Sequence, residues 1–436
     1  MFKKRTKHLL LAAVMMTSLI AGCSSNGNNN DSNGKGSQST DKKTELTFVS
    51  WSSEESSGQI IKDLMVKSWN DENQNAPVNV IGYPWKDTLQ QLIIKTTSKE
   101  KLDIAQIQSS WLIPLADQDV LVDLNTVLDP AWMKSTFSEA ALKGGQVDGH
   151  QYALPWTIAA IAPLYNPELL EKAGVDKAPT TIAEFEDALK KVKESIPDVV
   201  PYAISTESAS NISQDFQAWL WTFGGHVFDE NGNVIINNEN GVKALQWLKD
   251  LKDKDYIQMG VNRAAARDLF GLNQAAFYDD SIVARGFQVS KGFTMEDMPS
   301  HMVPMQRPVL KEGDTPRSIL WGHYLVVFKS SKAPDKSAEF IQHLLKDDLS
   351  IAYFKSASVP PVTSTAKEDP IIKNDSYVNA YLDVAQNSDP LETENFTQVS
   401  ALDNIISEEF QAALLDAKSP QKALDDAAAR IADTLK

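Results

Sequence analysis

From residue 46 onward, short apolar runs alternate with stretches whose apolar residues recur every three or four positions. Leu46–Val49 reads as a strand. The segment SGQIIKDLMVKSWN then sets Ile60, Ile61, Leu64, Met65 and Trp69 at helical spacing. VNVIGY reads as a second strand, Leu89, Leu92 and Ile93 mark a second helix, and LDIAQIQ is a third strand. Strand–helix–strand–helix–strand predicts the opening of a parallel sheet with helices on its faces.

The same logic continues downstream. Thr181-x-x-Glu184 is a capping-box pattern ahead of Phe185, Leu189 and Val192. Asn231-Gly232 sits between β-rich flanks in HVFDENGNVIIN and predicts a hairpin. Val242, Leu245, Leu248 and Leu251 mark a helix. HYLVVFK is a strand, followed by a helix with Pro334 near its start. Two helices close the chain, the last capped by Ser419 with Pro420 in its first turn.

The pattern before residue 46 is different. Lys3, Lys4, Arg5 and Lys7 precede an apolar run from Leu9 to Ile20, then Ala21, Gly22 and Cys23. A run of twelve residues is too short to span a bilayer core, which takes about 20, but it suits the apolar region of an export signal. The arrangement resembles the bacterial lipobox, in which a diacylglycerol is attached to the cysteine and the signal is cut just before it. Residues 1–22 are thus expected to be a lipoprotein signal peptide and Cys23 the lipidated residue. Palmitate-type acyl chains there would hold the chain at the extracytoplasmic face of the cell membrane. Cys23 is the only cysteine, so no disulfide can form. Residues 23–45 are nearly all Ser, Asn, Gly, Gln and charge, and read as a disordered tether.

The formal net charge of −16 becomes −20 once the four positive charges of residues 1–22 are removed. So acidic a body argues against nucleic acid and against an anionic membrane surface as partners. The length left after the tether suits two lobes better than one core.

Six segments in order resemble one family, the extracellular solute-binding lipoproteins of ABC importers in the maltose-binding-protein-like, sugar-binding group (family 1). They are LTFVSWSSEE, GHQYALPWTIAAIAPLYNPELLEKAGV, APTTIAEFEDALKKV, WLWTFGGHVFDENGNVIINNENGVKALQWLKDL, RDLFGLNQAAFYDD and SSKAPDKSAEFIQHLL. The resemblance implies an α/β, two-lobe periplasmic-binding-protein-like fold of type II, with mixed sheets flanked by helices and a hinged cleft. By analogy, lobe one would comprise residues 46–157 plus 316–362, and lobe two residues 158–315 plus 363–436. It also implies a monomer that delivers its ligand to the transmembrane subunits of an ABC permease.

A pyranose presents apolar C–H faces and a rim of hydroxyls, so its site needs flat aromatic surfaces and bidentate polar groups in a concave cleft. In open α/β sheets ligands gather beyond the carboxyl ends of strands. Four places carry such residues there. Trp51, Ser52, Glu54 and Glu55 follow the first strand, and Gln108, Ser110 and Trp111 follow the third. Tyr278 and Asp279 follow the apolar run AAF, and Trp321, Gly322 and His323 lie in SILWGH. The family resemblance adds Trp156, next to the expected crossing, and Trp221, close to Gly224-Gly225. Each has a plainer reading. Trp51 suits a core position at a strand end, Glu54 and Glu55 a helix first turn, Trp111 packing on Leu112 and Pro114, and Asp280 a helix cap. Trp69, Trp132 and Trp247 are expected to pack.

Other chemistries find less support. A glycoside hydrolase needs two carboxyls placed across the scissile bond, and the adjacent acids Glu54-Glu55 and Asp279-Asp280 do not supply that. There is no GxSxG, HExxH or CxxC. DENGN at 229–233 has its glycine at the wrong position for a calcium loop. No enzyme activity, metal or cofactor is therefore expected. A peptide or polyamine remains an alternative ligand, because an acidic cleft with Trp and Tyr can also hold a cation.

Overall fold

The computed structural model describes residues 43–207 and 209–436. The signal peptide, Cys23 and most of the tether lie outside the described residues. Near the start of the described residues, the Thr44 N–H donates to the carbonyl of Asn75.

Seven strands carry the architecture: β1 (Leu46–Val49), β2 (Val78–Ile81), β3 (Ile104–Gln108), β4 (Ala153–Tyr165), β5 (Val200–Ala203), β6 (Ala275–Ser281) and β7 (Ser318–Val327). They form one path in the order β2-β1-β3-β7-β4-β6-β5. The first three strands are parallel, as the strand–helix alternation predicts. β7 runs antiparallel to both β3 and β4.

The two long strands tie the halves together. β4 is thirteen residues and almost wholly buried, which at about 3.3 Å per residue reaches across two lobes. Its first half pairs only with β7, while Ile161–Tyr165 also pairs with β6. β7 pairs with β4 along its length and with β3 from His323 to Val327.

Two bodies of core follow from this. One gathers Phe48, Ile61, Met65, Trp69, Ile104 and Leu154 with Leu325, Phe340 and Tyr353. The other gathers Leu189, Tyr202, Phe216, Trp219, Phe277 and Phe410. The result is a two-lobe α/β fold with a mixed sheet flanked by helices. Segment 363–366 still bonds to the first lobe, through Ser364 N–H to the Thr136 carbonyl and the Thr365 hydroxyl to Asp347.

Five helices bear on the space between the lobes: α1 (Trp85–Thr97), α2 (Ala209–Thr222), α3 (Arg263–Gly271), α4 (Ala284–Ser290) and α5 (Val399–Leu414). Local signals largely act as expected. Thr181 and Glu184 close a reciprocal capping box, and the Ser419 hydroxyl accepts from Lys422 N–H. The hairpin at Asn231-Gly232 forms in its shortest version, with Asp229 N–H donating to the Asn233 carbonyl and Ile235 N–H to the Val227 carbonyl. The Asp229 carboxylate accepts from the N–H groups of Asn231 and Asn233, which leaves a compact turn closed by a single Phe228–Val234 bridge.

Candidate functional site

Parallel strands end their carboxyl termini on one edge, and the chain turns sharply there. After β1 the turn Trp51–Glu54 and then Glu55 face the second lobe. After β2 comes Trp85 at the start of α1, and β3 ends on Gln108. The crossing strands supply Ile161, Trp321 and His323 as a floor. From the second lobe come Asn211 and Gln214 on α2, Arg263 and Arg267 on α3, and Asp280 at the end of β6. Together these line an interlobe cleft of about 610 Å³.

The aromatic groups are held edge to face. The Trp51 ring lies 5.2 Å from that of Trp111 and 4.8 Å from the imidazole of His323, and Trp321 lies 4.3 Å from the same imidazole. Such contacts fix ring planes without filling the cleft. The Trp85 indole N–H donates to Gln108 Oε1 at 2.6 Å.

The protonation state of His323 is set by its neighbours. Burial pushes its pKa down to about 3, so the ring is neutral. The Gln106 side chain, held by the hydroxyls of Ser50 and Ser52, donates its amide N–H to His323 Nδ1 at 3.0 Å. That leaves the proton on Nε2, which makes this nitrogen a hydrogen-bond donor in the cleft wall.

Charge in the cleft is mostly paired. Arg267 grips Asp280 through two bonds, Nε at 2.6 Å and Nη2 at 2.9 Å. Arg263 donates to Asp215 Oδ1 at 2.7 Å and to the carbonyl of Asp279. Glu55 is the exception: its carboxylate has no hydrogen-bond partner among the described residues. Burial raises its pKa to about 7, Asp280 adds to that, and Arg267 opposes it.

The residues singled out from the sequence divide. Trp51, Glu55, Gln108, Trp321 and His323 line the cleft. Ser110 and Trp111 line a smaller chamber beside it. Ser52 is buried beneath it, its hydroxyl accepting from Gln106. Glu54 faces out to Lys62 at 2.9 Å.

Five others lie elsewhere, for stated reasons. Trp156 belongs to the core of the first lobe, stacked on Tyr353 at 4.8 Å. Trp156 is the residue passed over where the β4–β7 register shifts between Pro155 and Thr157, and it turns into the first lobe's core while Ile161 lines the cleft. Gly322 is out of phase with Trp321 and His323. It admits the close approach of β4, since a Cβ there would lie 2.9 Å from the carbonyl of Thr157. Tyr278 is fully buried against Phe270. Asp279 is buried in an ion pair with Arg307 and accepts from the Tyr202 hydroxyl. The cleft acid is Asp280, one residue on and therefore on the other face. Trp221 lines a separate groove of about 520 Å³ with His226, Phe228 and Phe396, its indole N–H bonded to Glu392 at 2.7 Å.

Sequence reasoning missed Trp85, Lys86, Asn211, Gln214, Arg263 and Arg267. Trp85 was findable, because it follows the second strand as Trp51 follows the first. The arginines had no local signal. Among the described residues no group of three or more His, Cys, Asp or Glu could hold a metal ion, and no helix is long and apolar enough to cross a membrane.

The family model of the bacterial extracellular solute-binding proteins matches residues 65–380, which includes both crossing strands. The chain belongs to this family. An arabinooligosaccharide-binding protein of Bacillus subtilis is 28% identical over 353 residues, covering 78% of this chain and 76% of its own. Among solved structures, a maltose-bound protein of T. maritima superimposes with a TM-score of 0.77 at 22% identity, over 88% of this chain and 98% of its own. A binding protein of Listeria monocytogenes in complex with cycloalternan gives 0.77 at 19%, over 90% and 99%. These two likenesses establish the solute-binding-protein fold.

Proposed function

We propose that this solute-binding protein captures a sugar or oligosaccharide in its interlobe cleft and delivers it to the membrane subunits of an ABC importer. The observation that carries the reading is the cleft's composition. The partly exposed indole of Trp85 and the largely buried indoles of Trp51 and Trp321 border the cleft together with hydroxyl-reading groups on Gln108, His323, Asn211 and Gln214. Apolar ring faces beside neutral donors and acceptors match the two kinds of surface a pyranose offers. The binding proteins similar to this chain include ones named for arabinooligosaccharide and maltodextrin, which supports the same class of ligand.

Two rival readings fare worse on these side chains. A polyamine or cationic peptide would meet Lys86 in the wall and find Asp280 already paired with Arg267, which leaves it less free carboxylate to bind. A hydrolase would need two free carboxyls. Asp280 is tied by both oxygens to Arg267 and also accepts from Ser281 N–H, so it is poorly disposed as nucleophile or base. We therefore assign no catalytic role.

The remaining parts of the proposal rest on the sequence. Cys23 is the lipidation site, residues 1–22 the signal peptide, and the mature protein a monomer tethered at the extracytoplasmic face. The hinge lies near residues 157, 316 and 362. Calorimetric titration of the body beginning at residue 43 against a panel of neutral oligosaccharides tests the function; saturable binding without turnover is expected. Tight binding of a peptide or polyamine with no glycan bound would refute it. Incorporation of labelled palmitate into wild type but not into Cys23→Ala tests the anchor.

A further inference from the structure

The space between the lobes does not end at Trp85. The Trp85 indole and Gln108 are hydrogen-bonded to each other and form a partition. Beyond it Trp85, Lys86, Gln108 and Gln214, which also line the main cleft, line a second chamber of about 280 Å³. The far walls of this chamber are Ser110 and Trp111 from the first lobe and Glu394, Ser400 and Asn404 from the second. An aromatic face again stands opposite short polar side chains.

Glu394 is the unusual member. It is 8% exposed, and one carboxyl oxygen accepts from the Ser109 hydroxyl across the cleft at 3.3 Å. Its other oxygen has no hydrogen-bond partner among the described residues, and no cation pairs with it. Its charged neighbour is Asp403, whose carboxylate is taken up by Ser213 at 2.7 Å and Thr393 at 3.0 Å. The free oxygen is not sealed in the protein but opens to the chamber, where a ligand hydroxyl can reach it. Burial, reinforced by Asp403, raises the pKa of Glu394 to about 8, so at neutral pH it both donates and accepts.

We propose that this chamber is a further sugar subsite through which the protein selects ligands by length. It takes the next unit of a linear oligosaccharide whose preceding units lie along Trp51 and Trp321, with Trp111 as its stacking face and Glu394 as the group that reads its hydroxyls. The inference rests on the carbohydrate reading of the main cleft. A short ligand leaves the Ser109–Glu394 contact in place. A longer one passes over Trp85, fills the chamber and satisfies the idle oxygen of Glu394.

The test is calorimetry with a graded series, from mono- to tetrasaccharide, of one glycan that binds. Wild type should gain about tenfold in affinity at the length that first reaches the chamber, the worth of one hydrogen bond or stacking contact. Glu394→Ala should lose that gain while its affinity for the shortest binding ligand stays within about twofold. Glu394→Gln, which can still donate and accept, should keep most of it. Ser400→Phe, on an exposed helical position at the chamber wall, should abolish the gain by filling the space; it serves if the Glu394 variants do not fold. Equal affinity for short and long ligands in wild type, or an undiminished gain in Glu394→Ala and Ser400→Phe, overturns this inference alone. A wild-type protein that binds no glycan of any length overturns the carbohydrate reading and the inference with it.

Discussion

Asp279 and Asp280 are neighbours in sequence with unlike fates. One is sealed against Arg307 and Tyr202, the other stands in the cleft wall against Arg267. Their parity on β6 decides it. Asp279→Ala would leave the Arg307 guanidinium buried without its carboxylate, so a loss of about 3–5 kcal/mol is expected; denaturant unfolding measures it. Trp85→Ala, at a partly exposed position, should instead keep the fold and weaken sugar binding by about 1 kcal/mol or more, read by calorimetry. His323 gives a pH effect. Its folded pKa of about 3 lies below the ordinary 6.5, so the unfolded imidazole takes up a proton first as pH falls. Stability is full above about 6.5 and declines toward 3. Denaturation at pH 7 and pH 5 should show a smaller drop for His323→Gln than for wild type. At this scale the sequence exposed residue types and strand ends, which reached Trp51, Gln108 and His323. It did not expose side-chain direction, which is why Trp156, Tyr278 and Asp279 were misplaced.

At the scale of elements, local rules worked where local physics decides. The Thr181–Glu184 capping box, the Ser419 cap and the three parallel strands all form as read. The hairpin at Asn231-Gly232 stays short, one bridge long, with the Asp229 carboxylate bonding the turn's own N–H groups. The crossing pair β4 and β7 depends on intimate contact at Gly322. A valine there would drive its Cβ against Thr157 O and the Tyr324 ring. Overpacking of this kind costs about 1–3 kcal/mol, and Gly322→Val should lower the melting temperature and broaden the unfolding transition as the lobes lose their common strand.

At the scale of the whole molecule, two carboxyl groups with oxygens free of protein hydrogen bonds among the described residues face the space between the lobes. Glu55 and one oxygen of Glu394 await partners there, while the arginines behind the wall are neutralised. A ligand that bonds both lobes should stabilise the folded state by mass action, about 2.7 kcal/mol at one hundred times its Kd. Thermal unfolding with and without the sugar found by titration measures this. The chain's own sequence determined the strand and helix series, the acidic body and the resemblance that names the two-lobe fold, because periodicity, capping and motif order are written in neighbouring residues. Only the tertiary structure decided which wall each side chain faces. It also revealed Arg263 and Arg267 in the cleft and set the second chamber beside the first. Strand pairing joins residues more than two hundred positions apart, such as Gln108 and His323, and no local pattern carries that register.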